Sequence, residues 1–99
     1  MSLAGKWTMT MDTPLGEQRF VWELRSEGQG WSGQMHSRAG TSPLERIDVD
    51  GSSISASCTL GTPIGNLALT FRGVASDQEI HGTCQSTYGT MPFSGVRGG

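Results

Sequence analysis

Ser53-Ile54-Ser55-Ala56-Ser57-Cys58-Thr59-Leu60, followed by Gly61-Thr62-Pro63-Ile64-Gly65 and Asn66-Leu67-Ala68-Leu69-Thr70-Phe71, carries the pattern that decides the fold. Ile54, Ala56, Cys58 and Leu60 alternate with Ser53, Ser55, Ser57 and Thr59, the period of a strand with one buried and one solvated face. Thr62-Pro63-Ile64-Gly65 interrupts the alternation with turn chemistry: Pro fixes one φ and Gly supplies a conformation that side chains avoid. Leu67, Leu69 and Phe71 then resume the period on the return strand. The segment reads as an antiparallel hairpin.

Forty-nine residues upstream the same layout appears, with no gap in the alignment. Thr13-Pro14-Leu15-Gly16 falls on Thr62-Pro63-Ile64-Gly65. Gly33 falls on Gly82, and Ser37 on Ser86. Gly40-Thr41-Ser42-Pro43-Leu44 falls on Gly89-Thr90-Met91-Pro92-Phe93. Ten of fifty aligned pairs are identical. Apolar positions track as well: Phe20 with Leu69, Trp22 with Phe71, Trp31 with Ile80, Ile47 with Val96. Shared turn chemistry accounts for some matches, but the gapless register argues for an internal duplication with halves near 1–49 and 50–99.

Working outward, each half holds four strands. In the first, Trp7, Met9 and Met11 share one face, then Phe20, Trp22 and Leu24, then Trp31, Gly33 and Met35. A turn over Arg38 to Ser42 leads into a fourth strand, Pro43 to Val49, and Asp50-Gly51 makes the midpoint turn. The second half continues past Phe71 with Ile80, Gly82 and Cys84, then Met91 and Phe93. Eight short strands linked hairpin to hairpin predict one all-β domain over 1–99, an eight-stranded antiparallel up-and-down barrel with an internal twofold pseudo-repeat.

Composition agrees. Gly, Ser and Thr make up 37 of 99 residues, and Lys6 is the only lysine, which disfavours helices. Three Trp, three Phe, one Tyr and five Met are too much apolar mass for a disordered chain. The net charge is −2 with the basic residues scattered, so no nucleic-acid partner is expected. No apolar run is long enough for a membrane-spanning helix, and the segment before Trp7 lacks a secretory signal, so a cytoplasmic location is expected. Cys58 and Cys84 fall two strands apart, roughly 9–10 Å. That is beyond disulfide reach, so both are read as free, buried thiols.

Gly5-Lys6-Trp7 on the first strand, with Arg97 on the last, resembles the Gly-X-Trp and C-terminal Arg pattern of the calycins (lipocalins, fatty-acid-binding proteins and avidins). Trp31-Ser32-Gly33-Gln34 is similar to a strand segment of bacterial avidins. The layout as a whole resembles small bacterial calycin-like proteins of unassigned function with Thr-Pro-X-Gly turns. The resemblance implies a barrel closed at one end by Arg97 packed over Trp7. It spans the chain in pattern, yet the chain is shorter than a lipocalin or avidin. It also lacks the lipocalin disulfides and flanking helix, and the avidin ligand residues have no counterparts, so biotin binding is not carried over.

An eight-stranded barrel either fills with side chains or holds one small ligand. Beyond the residues already named, Tyr88 is also read as inward. Gly33 and Gly82 remove bulk on both sides of the lumen, and methionines offer a pliant lining. The leading expectation is non-covalent binding of a small hydrophobic molecule, lined by Trp22, Trp31, Met35, Phe71 and Tyr88. A second reading is a cofactor-free isomerase, cyclase or hydratase acting on a hydrophobic substrate in the lumen. Ser37, Ser86 and Tyr88 would be the polar groups near it, with Arg46, Asp48 and Arg97 at one rim if the alternation holds there. Ile47 and Val49 compete for that inward phase, and in that case Arg46 and Asp48 stand on a solvated edge. A third is a filled barrel whose exterior, with Val21, Val49 and Val96, assembles with a second copy or a partner; a homodimer fits this reading. His36 and His81 fall on the outer face and read as surface residues. No metal-ligand spacing, nucleophile elbow, phosphate loop or dinucleotide motif occurs, so no metal and no cofactor is expected.

Overall fold

Among the described residues the alternating segments fold as nine antiparallel strands: β1 (Gly5–Thr13), β2 (Gly16–Glu27), β3 (Gly30–Ser37), β4 (Gly40–Pro43), β5 (Arg46–Asp50), β6 (Ser53–Thr62), β7 (Gly65–Ala75), β8 (Glu79–Ser86) and β9 (Gly89–Arg97). The computed structural model describes residues 3–14, 16–28, 30–38, 40–62, 65–87 and 89–98; for 60–62 it describes the backbone. One curled up-and-down sheet holds all nine in the order β4-β3-β2-β1-β9-β8-β7-β6-β5. Among the described residues no helix is long and apolar enough to cross a membrane. The inward positions Leu60 (as a side chain) and Tyr88 lie outside what is described.

Four hairpins at one end of the sheet share a closure. Thr13 pairs with Gly16, Ser37 with Gly40, Thr62 with Gly65 and Ser86 with Gly89. Each glycine has a φ between 105° and 123°, which a Cβ would make costly. The Thr13, Ser37 and Ser86 hydroxyls donate back to the carbonyls of Gly16, Gly40 and Gly89. Hydroxyl-x-x-Gly at these four places is therefore a sequence-encoded turn, twice with Pro inside and twice without.

Pairing registers in the two halves coincide at the 49-residue offset. Trp7 faces Trp22 as Ala56 faces Phe71, Ser26 faces Trp31 as Ala75 faces Ile80, and Met35 faces Ser42 as Cys84 faces Met91. The halves part company at the fourth strand. Where one strand over Pro43 to Val49 is expected, the chain forms β4 on β3 and β5 on β6, separated by Leu44 and Glu45. The Leu44 amide donates to the Gly33 carbonyl (2.9 Å) and the Glu45 amide to the Ser57 carbonyl (2.7 Å), so these two residues step from one neighbour to the other. A one-residue slip exchanges the two faces of a strand. Ile47 is consequently buried, whereas its aligned counterpart Val96 is 52% exposed, so that matched pair shares no environment. The same slip turns Arg46 and Asp48 outward, away from the lumen, and packs Val49 against the core rather than leaving it on the exterior.

Candidate functional site

Trp22, Met35 and Phe71, expected to line a lumen, stand in the hydrophobic core. Trp22 and Phe71 are 0% and 1% exposed, and their rings meet edge to face at 5.0 Å. Phe93 stands 5.2 Å from Phe71 and 6.0 Å from Trp22, and Phe20 stands 5.9 Å from Phe71. Such centroid spacings are those of rings in direct contact. Trp31 is half-buried and packs against the hydrophobic core. Tyr88 lies outside the described residues.

The glycines expected to open the lumen serve close packing instead. A Cβ at Gly33 would sit 3.1 Å from a Leu24 methyl and 3.2 Å from a Leu44 methyl. At Gly82 it would run into the Arg72 carbonyl and the Gly73 Cα on the neighbouring strand. Their missing side chains admit neighbours rather than a ligand.

No polar or charged side chain is buried among the described residues. The two thiols are free and buried. Burial, assisted by the nearby Glu45 carboxylate, pushes Cys58 up to about 11. Burial, assisted by Cys58 and opposed by a Thr70 backbone hydrogen bond, pushes Cys84 up to about 12. Neither thiol is a nucleophile near neutral pH. One buried polar atom, the Trp22 indole nitrogen, has no hydrogen-bond partner among the described residues.

At one end Arg97 and Trp7 meet. The Arg97 guanidinium carbon lies 4.5 Å from the Trp7 ring centroid. Its Nη1 donates to the Ala4 carbonyl at 2.9 Å and its Nε to the Asp77 carbonyl at 2.7 Å, while the indole of Trp7 donates to the Leu3 carbonyl at 2.9 Å. The guanidinium thus ties the segment before β1 to the β7–β8 connection across the tryptophan face.

The outer face carries a hydrogen-bond chain that period alone does not disclose. His36 Nε2 lies 2.8 Å from Glu23 Oε1, and His36 Nδ1 lies 2.9 Å from Thr41 Oγ1. An ionised carboxylate only accepts, so Nε2 carries the proton. In the neutral ring Nδ1 then accepts from the threonine hydroxyl. His36 faces Thr41 across β3–β4 and Val21 across β2–β3, which leaves Glu23 on the diagonal. Only the register of three strands brings this trio together. It links β2, β3 and the short β4 beside an open depression of about 180 Å³ lined by Glu23, Arg25, Ser32, Gly33, Gln34 and Pro43. A second depression, of about 230 Å³, lies on the outer face of β5, β6 and β7. Among the described residues no group of histidine, cysteine and carboxylate side chains is placed to hold a metal ion. Comparison with protein families, with curated proteins and with solved structures returns no match.

Proposed function

We propose that the chain is a closed, internally duplicated, calycin-like barrel with a filled interior that acts by binding at its outer face. One observation carries this reading: Trp22, Phe71, Phe93 and Phe20 occupy the centre where a ligand would sit. Closure is supported by the backbone bonds of Leu44 and Glu45 to β3 and β6, which leave the sheet's two edge strands consecutive in the chain. Duplication is supported by the coincident hairpin registers. The Arg97–Trp7 contact supports the calycin likeness. Among the described residues the interior holds no carboxylate, histidine, lysine or arginine to serve as a general acid or base, which favours a binding role over catalysis in the lumen. Free buried thiols suit a reducing cytoplasm.

Among the described residues the outer face is polar, with Val74 and Val96 its exposed large hydrophobic residues, which favours recognition there by hydrogen bonds and charge more than by an apolar patch. A second reading keeps the small molecule inside. The unpartnered Trp22 indole favours it, since an acceptor-bearing ligand would satisfy that donor.

Native mass spectrometry of the purified protein, with titration of palmitate and 8-anilinonaphthalene-1-sulfonate followed by tryptophan fluorescence, separates the two. The filled barrel is expected at the mass of one or two bare chains, with no saturable quenching. A co-purifying apolar molecule, or one-to-one quenching of the buried tryptophans, overturns it in favour of the lumen.

A further inference from the structure

We propose that the outer face of β5, β6 and β7 holds a phosphate-ester site in which Arg46 and Arg72 clamp the oxyanion. The inference rests on the reading of the outer face as the working surface and gives that surface a ligand class.

The register builds the site as a lattice of two rows. Arg46, Ser57 and Thr70 face one another across the three strands, and Asp48, Ser55 and Arg72 form the next row. Between them in sequence, Ile47, Ala56 and Phe71 are buried, so all six side chains project outward. They surround the depression of about 230 Å³. The arginines occupy opposite corners, with Cα atoms about 12 Å apart from strand spacing and rise. Two arginine side chains reach a common point over that distance.

Neither arginine has an ion-pair or hydrogen-bond partner among the described residues, and neither have the Ser55, Ser57 and Thr70 hydroxyls. Arg19 is paired with Glu17, and Arg97 donates to the carbonyls of Ala4 and Asp77. Lys6, Arg25 and Arg38 also have no partner among the described residues, so it is the shared basin that sets Arg46 and Arg72 apart. Five donor-bearing side chains therefore surround one basin, and none of the five is engaged by a protein partner among the described residues. A tetrahedral dianion meets this demand, because guanidinium pairs with phosphate oxygens two bonds at a time and hydroxyls take the rest. Asp48, more than 4 Å from either guanidinium, contributes an acceptor at the basin's edge. A carboxylate there repels a bare phosphate but accepts from hydroxyls carried on an ester, so the ligand class is a phosphorylated polyol such as a sugar phosphate.

The matching positions of β1 and β2 show that the fold does not impose this set. There Lys6, Thr8, Val21 and Glu23 stand for Ser55, Ser57, Thr70 and Arg72, and Glu23 is committed to His36.

The test is an amide chemical-shift titration of the whole chain with glucose 6-phosphate, inorganic phosphate and glucose, each at constant ionic strength. The expected result is saturable shifts at Ser55, Ser57, Thr70 and Arg72 with glucose 6-phosphate, weaker binding of phosphate, and silence with glucose. Arg46→Gln and Arg72→Gln should each weaken binding at least tenfold, while Asp48→Asn should weaken glucose 6-phosphate without weakening phosphate. Shifts that are absent, spread equally to Arg19 and Arg38, or undiminished in the arginine variants overturn the site. Equal binding of phosphate and glucose 6-phosphate overturns the ester assignment. An apolar probe bound in the lumen would overturn the filled-barrel reading while leaving these shifts in place. Their absence from a protein that binds no apolar probe removes the site alone.

Discussion

Phe71→Ala tests whether the interior is filled. Phe71 is 1% exposed and its ring meets those of Trp22, Phe93 and Phe20 at 5.0, 5.2 and 5.9 Å. Truncating a buried phenylalanine costs about 3–5 kcal/mol, including the cavity left behind. Three ring contacts, each worth about 0.5–1.5 kcal/mol beyond area, place this site at the upper end of that range. We expect a loss of about 4–5 kcal/mol, roughly a quarter or more of the stability of a domain holding roughly 5–15 kcal/mol. At about 4–8 °C per kcal/mol the thermal midpoint should fall by about 16–40 °C. Urea unfolding followed by tryptophan fluorescence gives the free energy, and calorimetry gives the midpoint. The vacated space would be apolar and dry, and such cavities take up benzene; benzene should raise the midpoint of the variant and leave that of the parent unchanged. A loss below about 1.5 kcal/mol, with the parent stabilised by benzene as well, would mean that Phe71 already borders a void, and the filled interior would be refuted.

Arg97→Ala should cost about 2 kcal/mol in urea unfolding, from the ring contact and two charged hydrogen bonds to backbone carbonyls. Arg97→Lys should recover less than half, since one ammonium cannot cover the ring and both carbonyls. Gly82→Ala should cost about 1–3 kcal/mol or more because its methyl meets backbone on the next strand, which cannot yield. Gly30→Ala, whose nearest neighbour is 3.8 Å away, should stay within about 0.5 kcal/mol in the same assay. For the thiols, folding raises the pKa from 9.0 to about 11 and 12, so above pH 9 the unfolded chain sheds protons that the fold retains. Stability should be unaffected by these groups below pH 9 and fall between about pH 9 and 12; a Cys58→Ala/Cys84→Ala variant should show a flatter midpoint over that window. Both thiols should stay unreactive towards a disulfide reagent at pH 8 until urea unfolds the chain.

The strands were legible because period-2 alternation is a local property, and Ser53 to Leu60 displays it without interruption. The four hairpin closures are written in the sequence as well, at Thr13, Ser37, Thr62 and Ser86 with Gly three residues on, and Pro marks only two of the four. The broken fourth strand left a subtler trace. Leu44 and Ile47 are both buried although three residues apart, and an unbroken pleat would put them on opposite faces. That odd spacing of apolar residues signals a slip, and it decides that Arg46 and Asp48 face outward. The packing of the lumen was not legible, because it depends on how far the sheet curls and on side-chain volumes summed across it. The Glu23–His36–Thr41 chain likewise required the registers of three strands before a diagonal contact became visible.

Seven of the eight strand pairings join elements that are hairpin neighbours in sequence; β1 with β9 is the exception. Trp7 faces Trp22 from fifteen residues away but faces Arg97 from ninety. Loop-closure entropy makes the longer union costlier by about 1.6 kcal/mol. The sheet can therefore zip one hairpin at a time, each step drawing on contacts close in sequence, and the meeting of first and last strands becomes the slow event. Folding rate is then governed at that seam. Substitutions such as Gly95→Ala, where a Cβ collides with the Met9 side chain across it, should act on the folding limb of a chevron, whereas lesions in the zipped hairpins mainly quicken unfolding.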